Sequence, residues 1–178
     1  MKSIIFVPFT DYFRSRKRVF TKFVAPFIVA GIALLASLIF NIGDAETIFS
    51  TFHSFIDMQI NIVAILISFS VAIITIIVSA DNENTKRLKN TDASELIYKT
   101  INGRTLSLFQ ILLSNIAYNI IIEIIYLIGL IAISLMQTMF TVGCLKYITT
   151  LCIFSIVHIL FVLLESVAQM YLTFWNNK

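Results

Sequence analysis

A chain of 178 residues with 58% hydrophobic and only 13% charged residues is not an ordinary soluble domain. Soluble domains carry about 25% charged residues, because most of their surface faces water. The net charge of +3 is modest, so orientation in a membrane and contact with anionic lipid explain the basic residues better than direct binding of nucleic acid does. The composition predicts an all-α protein whose main partner is the lipid bilayer.

Residues 1–22 form a basic and aromatic segment before the first long apolar run. Phenylalanine and tyrosine side chains mixed with arginine and lysine are typical of the headgroup region of a membrane. We therefore expect an interfacial N-terminal arm that is partly helical. The cations of this arm that are predicted to contact a partner or anionic lipid are Arg14, Arg16, Lys17 and Arg18.

Four apolar runs follow the arm, and each is long enough to cross a bilayer. A helix rises 1.5 Å per residue, so about 20 residues span a hydrocarbon core of about 30 Å. Backbone groups in lipid must be hydrogen-bonded internally, which favours helices even where the sequence is rich in β-branched residues. The predicted transmembrane helices cover residues 23–42, 60–80, 106–136 and 147–175, within a single domain at residues 23–178.

The segment at residues 44–59 has the periodicity of an amphipathic helix, which should lie along the outer interface or rise through it into the second run. His53 and Asp57 are four residues apart on this helix and could both face a metal ion. Two ligands make a weak site, so we predict no metal and no cofactor.

The connection at residues 81–104 is the longest polar stretch and carries the cations Lys86, Arg87 and Lys89. Asp92 and Glu95 resemble a capping box in which Asp replaces Ser or Thr, which predicts a short helix that ends near Gly103. Such a helix could simply lie on the membrane surface, or it could be the place where a protein partner docks.

Eleven of the thirteen lysine and arginine residues lie in the N-terminal arm and in the connection at residues 81–104. Basic residues beside membrane spans are retained on the cytoplasmic side. This asymmetry predicts that both termini and that connection face the cytoplasm, which in a bacterium places the chain in the inner membrane.

Polar residues form one stripe on each of the last two runs. Neighbouring antiparallel helices joined by a turn near residue 141 would bring the stripes level with each other. The predicted pairs are Glu123 with His158, Asn119 with Glu165, and Asn115 with Gln169. Such residues could hydrogen-bond the helices together, within one chain or across a homo-oligomer, or form a proton or ion path. Both interpretations remain open at this point.

Enzyme motifs such as HExxH, GxSxG, CxxC and Gly-rich phosphate loops are missing from the sequence, so we predict no catalytic activity. The combination of the basic arm at Arg14–Arg18, four spans and the loop NTKRLKN at residues 84–90 resembles the membrane subunits of bacterial antiphage systems of the Kiwa type. The resemblance implies a homo-oligomeric inner-membrane sensor of phage infection that recruits a separate cytoplasmic, DNA-binding effector.

The residues alone also allow functions of another class. A small oligomeric ion or proton channel would use Glu123 and His158, and an exporter or an immunity protein against a bacteriocin or toxin would also fit a small polytopic chain.

Overall fold

The computed structural model describes residues 7–40, 44–79, 83–93, 97–100 and 105–175. This part of the chain is all-α, as predicted. Its helices are α1 (Val7–Ser15), α2 (Thr21–Ile39), α3 (Ala45–Ser79), α4 (Glu83–Asn90), α5 (Leu108–Met136) and α6 (Val142–Trp175). A short 3₁₀ helix, Gln137–Met139, joins α5 to α6. Four of the helices, α2, α3, α5 and α6, are long and apolar enough to cross a membrane, and the sequence predicts the same number of spans.

The outer amphipathic segment and the second predicted span form one continuous helix, the 35-residue α3. Proline and glycine are absent from residues 45–79, so nothing in the sequence interrupts the helix. Asp44 caps its start, since the Thr47 amide donates to Asp44 Oδ1 at 3.3 Å. Hydrogen bonding from Thr47 holds the pKa of Asp44 below its usual range. The helix therefore begins well outside the segment predicted to span the membrane.

The four long helices are arranged in the lateral order α2, α6, α5, α3, because the most extensive contacts join α2 to α6, α6 to α5 and α5 to α3. Aromatic rings align α2 with α6: Phe27 lies 4.7 Å from Phe154, and Phe23 lies 4.5 Å from the His158 ring. The largest buried cluster lies where α3, α5 and α6 meet, and it contains Phe52, Ile56, Val63, Leu130, Leu145, Cys152 and Ile156.

Helix α1 of the N-terminal arm packs along the first part of α5. The Tyr12 ring stacks on the Tyr118 ring, with the centroids 3.7 Å apart and an angle of 3° between the planes. The centroid of the Phe9 ring lies 5.5 Å from that of Tyr118. Both tyrosine side chains are almost fully buried. Burial of large aromatic surfaces stabilises this contact, so the described part of the arm is docked onto the bundle.

The prediction of a short helix that starts at Asp92 is wrong, because the described residues of that segment, 92–93 and 97–100, are not helical. Asp92 pairs with Ser107, and Tyr98 pairs with Arg16, as isolated β-bridges. The Lys17 amide donates to the Ile97 carbonyl at 3.0 Å, so the backbone here is used for tertiary pairing. Glu95 and Gly103 lie outside the described residues. Pairing with the arm overrides the local capping signal, and the helix of this connection is the earlier α4.

A capping box does occur, but at the start of α5. The Gln110 amide donates to Ser107 Oγ at 3.3 Å, and the Ser107 amide donates to Gln110 Oε1 at 3.0 Å. These two bonds satisfy backbone donors that a helix start leaves without partners. They fix where α5 begins, seven residues before Asn115 of the polar stripe.

Candidate functional site

The guanidinium of Arg16 is buried between α5 and α6, and Arg16 is only 2% exposed. Its Nη1 lies 3.0 Å from Glu165 Oε2, and its Nη2 donates to Asn115 Oδ1 at 2.6 Å. A buried charge is tolerated when it is paired and hydrogen-bonded, and both conditions hold here. The lipid or partner contact predicted for Arg16 is thus replaced by an internal ion pair.

The local backbone explains why Arg16 points inward. Helix α1 ends at Ser15, and the next residues run extended beside residues 97–99, with the Lys99 amide donating to the Ser15 carbonyl at 2.7 Å. Successive side chains of an extended segment point to opposite sides, so Arg16 enters the bundle while Lys17 is exposed. The Tyr12 ring lies 4.1 Å from the guanidinium carbon, which adds a cation–π contact.

Glu165 on α6 connects this cation to two further elements. Lys22 Nζ at the start of α2 lies 3.1 Å from Glu165 Oε1, and Gln169 Nε2 donates to the same oxygen at 3.3 Å. Asn115 Nδ2 donates to Gln169 Oε1 at 3.1 Å, which confirms that predicted pair. Gln169 also donates to the Tyr98 hydroxyl. We call Arg16, Lys22, Tyr98, Asn115, Glu165 and Gln169 the Arg16 network.

Glu123 does not form the predicted pair with His158. Its carboxylate is fully buried, and Oε1 accepts hydrogen bonds from Ser70 Oγ at 3.1 Å and from Asn119 Nδ2 at 2.8 Å. Ser70 lies on α3, which was not predicted to neighbour this stripe. Glu123 is therefore bonded to Ser70 of α3, which lies on the side of α5 that faces away from α6.

His158 hydrogen-bonds to the Tyr118 hydroxyl instead, with Nε2 and Oη 3.0 Å apart. The predicted pair of Asn119 with Glu165 is also wrong, because Arg16 and Lys22 occupy the carboxylate of Glu165. The inserted arm supplies cations and an aromatic face between the two helices. This insertion shifts the polar contacts away from the simple register of a two-helix hairpin.

The remaining predicted contact residues are exposed at the end of the bundle where α2 and α5 begin and where α3 and α6 end. We call this set the basic end, and it consists of Arg14, Lys17, Arg18, Lys86, Arg87 and Lys89. Lys89 Nζ lies 5.2 Å from the Phe109 ring, which anchors the end of α4 to α5. The structure thus separates the predicted cations into one buried residue, Arg16, and six exposed ones.

Five residues that contact the polar stripes or Arg16 were not predicted from the sequence: Tyr12, through its ring, and Tyr98, Tyr118, Ser70 and Lys22, through polar groups. One signal was available, since Glu165 lies within an apolar run and such a carboxylate requires a cationic partner. The candidates for that partner were the arm cations, but nothing in the helical periodicity identifies which of them enters the bundle.

The arrangement fits a structural role for these polar groups. Among the described residues, no group of three or more His, Cys, Asp and Glu side chains could hold a metal ion. His53 at the opposite end of the bundle lies 3.3 Å from Asp57 and 3.1 Å from Gln137. Comparison with known proteins gave no match to a family model, to a curated protein or to a solved structure.

Removal of either charge of the Arg16–Glu165 pair should destabilise the protein, but by different amounts. Glu165→Leu leaves the Arg16 guanidinium buried without its counter-ion, which should lower the free energy of unfolding by about 3–5 kcal/mol. Arg16→Met should cost less, about 1–3 kcal/mol, because Lys22 still pairs with the carboxylate. Unfolding in detergent measures both. The double variant should be more stable than Glu165→Leu alone, and a strictly additive loss would contradict the ion pair.

The buried Tyr12 hydroxyl should make the stability of the protein depend on pH in the alkaline range. Burial raises the pKa of Tyr12 to about 12, whereas an unfolded tyrosine titrates near pH 10. Between pH 10 and 12 the unfolded state loses the Tyr12 proton while the folded state keeps it, so Tyr12 leaves the free energy of unfolding unchanged below pH 10 and lowers it as the pH rises from 10 to 12.

Tyr12→Phe should remove this dependence. The Tyr12 hydroxyl has no hydrogen-bonding partner among the described residues, so the variant should be at least as stable as the wild type at pH 8. At pH 11 it should be more stable by about 1 kcal/mol. Unfolding of both proteins in detergent at the two pH values gives the comparison. An unchanged difference between the two pH values would contradict the burial of this hydroxyl.

Proposed function

We propose that this chain is a non-catalytic, homo-oligomeric scaffold and sensor subunit of the bacterial inner membrane, which recruits a cytoplasmic effector protein in antiphage defence. The supporting observation is the division of its cations. Arg16 is used inside the bundle, whereas the six cations of the basic end are exposed together on one end. A surface of this kind is suited to binding an acidic face of a soluble partner.

The Arg16 network also fixes the position of the arm, which carries three of the six cations of the basic end. It links the arm, the connection at residues 97–99, α5 and α6 through side-chain and backbone hydrogen bonds. Cations held in fixed relative positions lose less conformational freedom when a partner binds, which favours affinity. A shift of α5 or α6 would be transmitted to the arm through the same contacts, as a sensor requires.

The proposed orientation places the basic end in the cytoplasm, with both termini on that side. The other end of the bundle carries the acidic residues Asp44, Glu46 and Asp57, with Lys146 as the described cation there. Retention of basic residues on the cytoplasmic side is the general rule that supports this choice.

A channel is the second candidate, and one observation favours it. Glu123 is fully buried in the middle of α5, and its Oε2 has no hydrogen-bonding partner among the described residues. Intramembrane carboxylates of this kind occur in proton pathways. Against it, the same carboxyl group accepts hydrogen bonds from Ser70 and Asn119, and these bonds join α3 to α5 as a structural contact would.

Charge reversal at α4 tests recruitment. The triple variant Lys86→Glu, Arg87→Glu, Lys89→Glu should lower the yield of the co-purified partner at least about tenfold after extraction in gentle detergent, because attraction becomes repulsion. Native mass measurement gives the yield and the oligomer size. The charge-preserving variant Lys86→Arg, Arg87→Lys, Lys89→Arg is the control and should keep the partner. Equal yields for the reversed and control variants would exclude α4 as the docking site.

Ion flux into liposomes tests the channel. A scaffold should produce no flux above empty liposomes, either as the wild type or as Glu123→Gln, which preserves the shape of the side chain and removes its charge. Proton or cation flux through the wild type that Glu123→Gln abolishes would overturn the scaffold proposal and establish the channel.

A further inference from the structure

Asn61 carries an amide on the face of α3 that points away from the bundle. Residues of α3 that are buried against the other helices include Val63, Ser70 and Ile77. A helix turns about 100° per residue, so Asn61 lies opposite Ser70 on the helix circumference. Asn61 is exposed, and its side chain has no hydrogen-bonding partner among the described residues. It is thus directed away from the helices that pack against α3.

Helix geometry puts Asn61 just inside the outer edge of the hydrocarbon core when the level of Ser70 and Glu123 is taken as its centre. Ser70 contacts Glu123, which lies near the middle of α5. Nine residues separate Ser70 from Asn61, which is about 13 Å along the helix, whereas the hydrocarbon core extends about 15 Å from its centre. Acyl chains offer no hydrogen bonds, and an amide without partners costs several kcal/mol in such surroundings.

Other polar residues on this face satisfy themselves within the helix. Ser68 Oγ donates to the Ala64 carbonyl at 3.0 Å, and Thr75 Oγ1 donates to the Val71 carbonyl at 2.8 Å. These hydroxyls therefore need no outside partner. The Asn61 amide has two donors and a carbonyl acceptor, and it is the group on this face that remains unmatched among the described residues.

We propose that α3 pairs with α3 of a second copy of this chain, with the two Asn61 amides hydrogen-bonded to each other across a two-fold axis. An amide both donates and accepts, so two copies of the same residue are complementary. The remaining residues of the contact face recur at intervals of three and four and are mostly small, which permits close left-handed packing: Ile65, Ser68, Ala72, Thr75 and Ser79.

This inference rests on the homo-oligomeric part of the proposed function and adds its contact surface. A two-fold contact also predicts an even number of subunits. The basic ends of the two copies would face the same side of the membrane, since both copies insert with the same topology.

Cysteine cross-linking in native membranes tests the contact. In a background of Cys144→Ser and Cys152→Ala, Ser68→Cys should form a disulfide-linked dimer on mild oxidation, because the two Cα atoms come within about 7 Å. The matched control is Val71→Cys, which lies at a similar depth and is exposed on the flank of α3. We expect at least a fivefold higher dimer yield at position 68. Equal yields at the two positions would overturn the proposal.

Substitution of Asn61 tests the role of the amide. Asn61→Leu should raise the dissociation constant of the detergent-solubilised dimer about 3- to 30-fold, which corresponds to about 0.6–2 kcal/mol for an interhelical hydrogen bond. Asn61→Gln keeps the amide and should remain close to the wild type. An unchanged dissociation constant for Asn61→Leu would contradict the proposed pairing.

The mass of the wild-type particle separates this inference from the proposed function. An even-numbered oligomer with cross-linking at position 68 supports both. An oligomer that cross-links only at other positions, or one with an odd number of subunits, overturns the α3 contact and leaves the scaffold intact. A monomer overturns the homo-oligomeric part of the proposed function together with the α3 contact, even where partner recruitment persists.

Discussion

The fold at the basic end depends on one requirement, that the carboxylate of Glu165 has a cation within hydrogen-bonding distance. Glu165 lies on a long apolar helix, where an unpaired charge is costly. The cation comes from the arm, and for Arg16 to reach it α1 must dock on α5 and the residues after α1 must run extended into the bundle. The backbone pairing with residues 97–99 follows from that path. One electrostatic need therefore organises the arm, the connection and α6 together.

The same ion pair influences the lateral order of the spans. Lys22 also contacts Glu165, so α2 begins beside α6, and the Phe23 and Phe27 rings continue that contact along the helix. With α2 against α6 and α6 against α5, α3 packs mainly against α5 and less extensively against α6. Ser70 and Glu123 join α3 to α5, and the opposite side of α3, which carries Asn61, is exposed.

The sequence was sufficient for those features that depend on one helix or on neighbours joined by a short turn. Apolar run length predicted four long helices, and hairpin register predicted Asn115 beside Gln169, because α5 and α6 are consecutive. Lateral order cannot be read from periodicity, since lipid-facing and helix-facing positions are both apolar. For that reason the partner of Glu123 on α3 was missed. The extended path that buries Arg16 was missed because it is formed by tertiary pairing.

Polar contacts carry unusual weight in such a bundle because hydrocarbon removes the hydrophobic preference of one helix for another. Within the described spans they form successive levels: the Arg16 network at the basic end, Ser70 with Glu123 in the middle, and the Tyr126 hydroxyl donating to the Cys152 carbonyl at 3.0 Å beyond it. Each of these levels joins helices of one chain. The Asn61 amide is a polar group of the same kind, and it has no hydrogen-bonding partner among the residues that the structure describes. If polar contacts specify which helices meet, an unmatched amide on the outward face of α3 specifies one further helix, and a second copy of the chain supplies the matching amide.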